Sequence, residues 1–173
     1  GAGIRLEKGD LVVSQSWFRD SQEGILSGND EGSSITIDKS TFTRLGTCEG
    51  AGGCAHSIYI GDYGALTVTR SRFEAGRGGH YVKSRSPRVS ILNSSFDDAG
   101  GRETNYMIDL PGGASGRIAG TALPGEIGNV GIAGHRDSFF RGLKGVEWGE
   151  GGAALGPQRL RPVQHAGNPP LLA

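Results

Sequence analysis

The chain has 173 residues with 18 basic and 18 acidic side chains, 32 glycines and 7 prolines, and only 35% of it is hydrophobic. This composition excludes a membrane-spanning helix, which needs ~18 consecutive apolar residues, and a leucine-rich helical bundle. Zero net charge argues against a surface built for nucleic acid, and glycines without a three-residue period exclude collagen.

Gly1 falls inside a pattern that recurs downstream, so the chain reads as starting within a repeat. That predicts further coils upstream and no signal peptide in this chain. The segment Ile4-Arg5-Leu6 reads as a first short strand. It is followed by an eight-residue phrase, apolar-x-apolar-x-x-Ser-x-Phe, carried by Leu11, Val13, Ser16 and Phe18. A second strand, Ile25-Leu26-Ser27, leads to a second copy at Ile35, Ile37, Ser40 and Phe42. The third pair is Ile58-Tyr59-Ile60 with Leu66, Val68, Ser71 and Phe73. The fourth is Val82-Lys83-Ser84 with Val89, Ile91, Ser94 and Phe96. A fifth, Ile108-Asp109-Leu110, precedes a degraded copy at Ile118, Thr121 and Leu123.

Alternation within each strand gives a period of two and one buried face. Recurrence of like residues every ~23 positions implies stacked coils. Ile4, Ile25, Ile58, Val82 and Ile108 should therefore stack inside, while Arg5, Leu26, Tyr59, Lys83 and Asp109 form an outward ladder. The Phe series reads as core stacking and the Ser series as an internal hydroxyl ladder. Glycine clusters are expected at the corners, where φ is often positive. One interval between Phe positions is 31 residues instead of 23 or 24. Its surplus is the Gly46-to-Ala55 loop, which contains both cysteines, Cys48 and Cys54. Six positions apart across glycines, they could close a disulfide in an exported protein; the alternative is two reduced thiols.

The repeat, together with Gly79-His80-Tyr81-Val82-Lys83-Ser84-Arg85 and Tyr106-Met107-Ile108-Asp109-Leu110-Pro111, resembles the right-handed parallel β-helix family of pectin-lyase-like architecture. The resemblance covers residues 1–123 and extends to bacterial β-helix repeat proteins. It implies an all-β solenoid of about five coils, in an exported protein that binds carbohydrate or serves a structural role. It also brings in a second reading, a polysaccharide lyase or hydrolase that would use Ca²⁺ as cofactor and a basic residue to abstract a proton. On that reading Lys83, Arg85 and Asp109 are the candidate catalytic residues. The alternative for Lys83 and Asp109 is a surface ion pair worth under ~1 kcal/mol. His56 and His80 share a position on neighbouring coils and are candidate ligand contacts, or are satisfied by corner backbone groups. Tyr59 and Tyr81 are expected to face outward, where they could stack on sugar rings. Asp30-Glu31, Asp62 and Asp97-Asp98 fall near different corners and read as turn residues rather than metal ligands. Polysaccharide is the expected partner, with no nucleic acid and no membrane insertion.

After Arg117 the repeat fades. The run Gly128-Asn129-Val130-Gly131-Ile132-Ala133-Gly134-His135-Arg136-Asp137 resembles the catalytic-histidine segment of sortases, over residues 119–146. The resemblance puts His135 in the place of the catalytic histidine. However, no cysteine follows it, and the nucleophile strand and arginine strand of that family are missing. Transpeptidase activity requires a thiolate, so residues 124–150 read as an inactive sortase-like fragment. Residues 151–173, with Pro157, Pro162, Pro169 and Pro170, read as a Gly/Pro-rich coil tail.

Overall fold

The computed structural model describes residues 1–50 and 53–121 and the backbone of 132–133. The first coil contains β1 (Ala2–Leu6), β2 (Leu11–Ser14) and β3 (Trp17–Arg19). The second contains β4 (Glu23–Ser27), β5 (Asp30–Asp38) and β6 (Thr41–Thr43). The third contains β7 (Ile58–Ile60), β8 (Tyr63–Thr69) and β9 (Arg72–Glu74). The fourth contains β10 (Gly79–Ser84), β11 (Arg88–Leu92) and β12 (Ser95–Asp97). The fifth begins with β13 (Thr104–Asp109) and β14 (Ser115–Ala119), and the short β15 (Ile132–Ala133) pairs with β13.

Equivalent strands of successive coils pair in parallel. They form a six-stranded sheet, β1-β4-β7-β10-β13-β15, a five-stranded sheet, β14-β11-β8-β5-β2, and a four-stranded sheet, β12-β9-β6-β3. The expected parallel β-solenoid of about five coils is therefore present. The third sheet refines the expectation. The Ser-x-Phe end of the repeated phrase is not a continuation of the strand before it, but a separate short strand beyond a corner.

Register follows the sequence repeat. Ile25 pairs with Ile4 and Ile58, and Val82 with Ile58 and Ile108. The rings of Phe18, Phe42, Phe73 and Phe96 stack at 4.7–4.9 Å with interplanar angles of 5–7°. That spacing is the distance between paired strands, so backbone pairing itself brings the rings into contact. Phe42, Phe73 and Phe96 are fully buried, while Phe18 is half-buried at the first coil.

The serine file is a hydrogen-bond device. The backbone N–H groups of Ser16, Ser40 and Ser71 donate to the hydroxyls of Ser40, Ser71 and Ser94 on the next coil, at 3.1–3.2 Å. Each hydroxyl in turn donates to the carbonyl two residues before it, at 2.9–3.0 Å. Thr121 takes the fifth place, donating to the Ala119 carbonyl.

The corner before each serine corrects the glycine expectation. Gln15, Lys39, Arg70 and Asn93 all have φ of 47–50°, a left-handed conformation costly for side chains with a Cβ. Their N–H groups donate across the gap to Asp38, Thr69, Leu92 and Ala119 carbonyls at 2.9–3.1 Å. The corner thus turns the chain without breaking the inter-coil ladder, which offsets the conformational cost. Glycine is required where backbones touch: a Cβ on Gly78 would lie 2.9 Å from Cys48 Sγ and 2.8 Å from the Thr47 carbonyl carbon.

That contact seats the inserted loop. Cys48 and Cys54 form a disulfide. Below it, Thr47 and Ala55 make an antiparallel bridge in which the Ala55 N–H donates to the Thr47 carbonyl at 2.7 Å. Leu123, the sortase-like segment with His135 apart from the Ile132–Ala133 backbone, and the tail at 151–173 lie outside the described residues.

Candidate functional site

The outer face of the six-stranded sheet brings most of the candidate residues together. Tyr59, Lys83 and Asp109 occupy the same outward position on β7, β10 and β13, in direct register. The Lys83 ammonium lies 3.7 Å from an Asp109 carboxylate oxygen and 5.4 Å from the centre of the Tyr59 ring. Arg85, exposed at the end of the same sheet, donates from Nε to the Tyr59 hydroxyl at 3.1 Å. Lys83 and Arg85 thus flank one aromatic ring, with the Asp109 carboxylate, only 9% exposed, paired to Lys83 beside them.

Behind the patch is a second file. Glu23 starts β4, His56 lies two residues before β7, and His80 and Tyr106 lie on β10 and β13. The His56 and His80 rings stack at 4.7 Å and 7°, and His80 continues onto Tyr106 at 5.2 Å and 20°. Tyr59 meets His56 edge-on at 5.6 Å. Both imidazoles are buried, with exposures of 6% and 8%. His56 Nδ1 accepts the backbone N–H of His80 at 3.0 Å, so the proton of the neutral ring is on Nε2. His80 Nε2 lies 3.3 Å from Asp109, while its Nδ1 is buried with no partner among the described residues. Burial, reinforced by the charge of Lys83, holds His80 at about 4; burial, His80 and Lys83 hold His56 at about 3. Burial also pushes the Glu23 carboxyl up, against hydrogen bonding from the His56 backbone. The histidines therefore support the patch from behind, as neutral rings joined to backbone.

Tyr81 departs from the expectation of an outward aromatic: it is fully buried. Its ring packs edge-on against Phe73 and Phe96 at 6.3 and 6.1 Å. Its hydroxyl accepts the Gly76 N–H at 2.9 Å and donates to Asp98 Oδ1 at 2.6 Å. Strict alternation would send Tyr81 outward because Val82 points inward. In this solenoid the residue before the inner aliphatic is buried as well: Ser57 and Met107 hold that place on the third and fifth coils, and a Cβ on Gly3 would lie 2.9 Å from the Phe18 ring. The same position on the second coil is Gly24, where a Cβ would be 2.8 Å from the Phe42 ring.

The acidic corner residues serve the turns in part, while the Asp98 carboxylate instead accepts from the Tyr81 and Thr104 hydroxyls. Asp30 accepts from the Gly9 N–H and the Ser33 hydroxyl, Asp62 donates its N–H to Asn29, and Asp97 accepts from the Ala99 N–H. Among the described residues no three His, Cys, Asp or Glu side chains converge to hold a metal ion. Among the described residues, then, calcium has no carboxylate cluster to hold it. One exposed aromatic escaped the sequence reading: Trp17 is 62% exposed with the Arg19 guanidinium 4.7 Å over its ring. Its place at the outward position beside Phe18 was legible only once the third sheet was separated from the second.

No helix among the described residues is long and apolar enough to cross a membrane. Comparison with family models, with curated proteins and with solved structures finds no match for this chain.

Proposed function

We propose that the chain is a carbohydrate-binding β-solenoid module of an exported protein, with the outer face of the six-stranded sheet as its sugar-binding surface. The observation that carries this reading is the in-register file Tyr59–Lys83–Asp109 with Arg85 beside it. It combines an aromatic ring, two cationic donors and a carboxylate acceptor on a rigid sheet, the groups that hydroxyl-rich ligands engage. A linear polymer lying along the solenoid would meet one such group per coil, about every 4.8 Å. Export is supported by the Cys48–Cys54 disulfide, since disulfides persist in oxidising compartments.

Electrophoresis through gels containing neutral or uronate polysaccharides tests the reading. At least one polymer should slow the protein, and Tyr59→Ala and Arg85→Ala should each restore most of the mobility. Retardation by no polymer, or retardation unchanged in both variants, overturns it. A lyase reading draws on Lys83 beside Asp109 and is separated by the same panel: a rise in ultraviolet absorbance from unsaturated products would replace binding with cleavage. A transpeptidase reading has no nucleophile among the described residues, because both cysteines are joined to each other.

A further inference from the structure

The third and fourth coils of this solenoid are joined at one point through an imidazole. The His80 N–H donates to His56 Nδ1, and the neighbouring Ser57 N–H donates back to the His80 carbonyl at 2.9 Å. This seam between the third and fourth coils works only while His56 Nδ1 is bare. A proton there converts an acceptor into a donor facing a donor, and places a cation face-to-face with the second ring at 4.7 Å. His80 offers no easier site, because Nε2 is turned to Asp109 and Nδ1 is buried with no partner among the described residues.

We propose that the His56–His80 stack is an acid-sensitive clasp: protonation opens the seam between the third and fourth coils at the start of β7 and β10, and with it the backing of the Tyr59–Lys83 face. The Phe column stays stacked. The inference goes beyond sugar binding and does not depend on it.

Every element packed against the two rings contributes to the balance. On β4, Glu23 would favour an imidazolium, but its own carboxyl is pushed up by burial. On β7, Tyr59 meets His56 with a neutral ring edge. On β10, Lys83 opposes a second cation. On β13, Tyr106 covers His80 with an uncharged ring, and Asp109 would favour imidazolium but is shared with Lys83. Arg85 adds positive charge near Asp109. The Cys48–Cys54 disulfide beside the seam does not titrate. Neutral rings therefore prevail until acid forces protonation, and the bond from the His80 N–H to His56 Nδ1 is then lost.

The test is amide hydrogen exchange with histidine ring titration by NMR, on the full chain with its disulfide intact. After correction for intrinsic rates, the Ser57 and His80 amides should lose at least about tenfold protection between about pH 6.5 and pH 4. Amides of the strands carrying Phe42 and Phe73 should keep theirs. In His56→Asn/His80→Asn, where a side-chain amide oxygen can accept the His80 N–H without titrating, the step should vanish. Flat protection in the wild type, or the same step in the double variant, overturns the clasp. Should the variant not fold at neutral pH, the wild-type rings decide: both titrating near 6.5 overturns the proposal, and titration of either well below that, together with the amide step, supports it.

Discussion

Two buried tyrosines show how much one hydroxyl can differ from another. Tyr81 spends its hydroxyl on the Gly76 N–H and the Asp98 carboxylate, and Thr104 donates to the same carboxylate oxygen at 2.9 Å. Tyr81→Phe should therefore cost about 1–3 kcal/mol in a denaturant melt, because it strands a buried N–H and removes a donor from a carboxylate. Tyr63 is equally buried, but its hydroxyl has no partner among the described residues. Tyr63→Phe should be neutral or stabilising by up to about 1 kcal/mol in the same melt. At Phe73, stacked on both sides, Phe73→Ala should cost about 3–5 kcal/mol as a core truncation. A loss below ~1 kcal/mol would mean the column does not carry the core.

At the scale of the element, the unit of construction is the corner between the second and third sheets. It combines a left-handed residue whose N–H reaches the next coil with a serine whose hydroxyl caps the coil before it. Ser71→Ala should orphan the buried Ser40 N–H and cost about 1–3 kcal/mol. Lys39→Gly should raise stability by up to about 1 kcal/mol, read as a higher denaturation midpoint, because the residue is exposed and its φ is 47°. The Ser and Phe files were legible in the sequence because one residue type recurs at a constant offset. The left-handed corner was not, since Gln15, Lys39, Arg70 and Asn93 share no side-chain chemistry: what recurs there is a backbone angle. The candidate patch was legible in part. Tyr59, Lys83 and Asp109 follow from register alone, whereas the burial of Tyr81 runs against strict alternation, because the residue before the inner aliphatic also faces the Phe column.

For the whole molecule, the buried imidazoles set the direction of the pH dependence. Above about pH 7.5 they are neutral in both folded and unfolded chains and contribute almost no slope. As pH falls, the unfolded chain takes up protons first, because burial holds the folded rings at about 3 and about 4. Stability should thus drop on acidification, by about 1–2 kcal/mol per histidine near pH 5, with Glu23 opposing part of the loss. The aspartates paired to Arg44 and Arg70, held at about 2, extend the decline below the ordinary carboxylate range. At the alkaline end, Tyr81 is pushed up by burial, so the folded chain holds its proton longer and stability should fall above about pH 10. Melting temperatures from pH 4 to 11 should trace an asymmetric dome, and a flat acid limb would contradict the burial of both rings. Reduction with a dithiol should lower stability by about 2 kcal/mol, the loop-closure entropy of a short ring, while leaving the sheets' circular dichroism unchanged.

Periodicity alone determined that this chain coils, which residues stack inside and where the insertion projects. Those properties repeat in every coil, and repetition is visible in one dimension. The tertiary structure decided which way the outliers face: Tyr81 into the core, His56 and His80 behind a charged patch, Cys48 and Cys54 onto each other against Gly78. Each of those depends on space and hydrogen-bond partners that only the folded stack supplies: Gly76, Asp98 and the Phe73 and Phe96 rings for Tyr81, the His80 N–H for His56, and Gly78 for the disulfide loop.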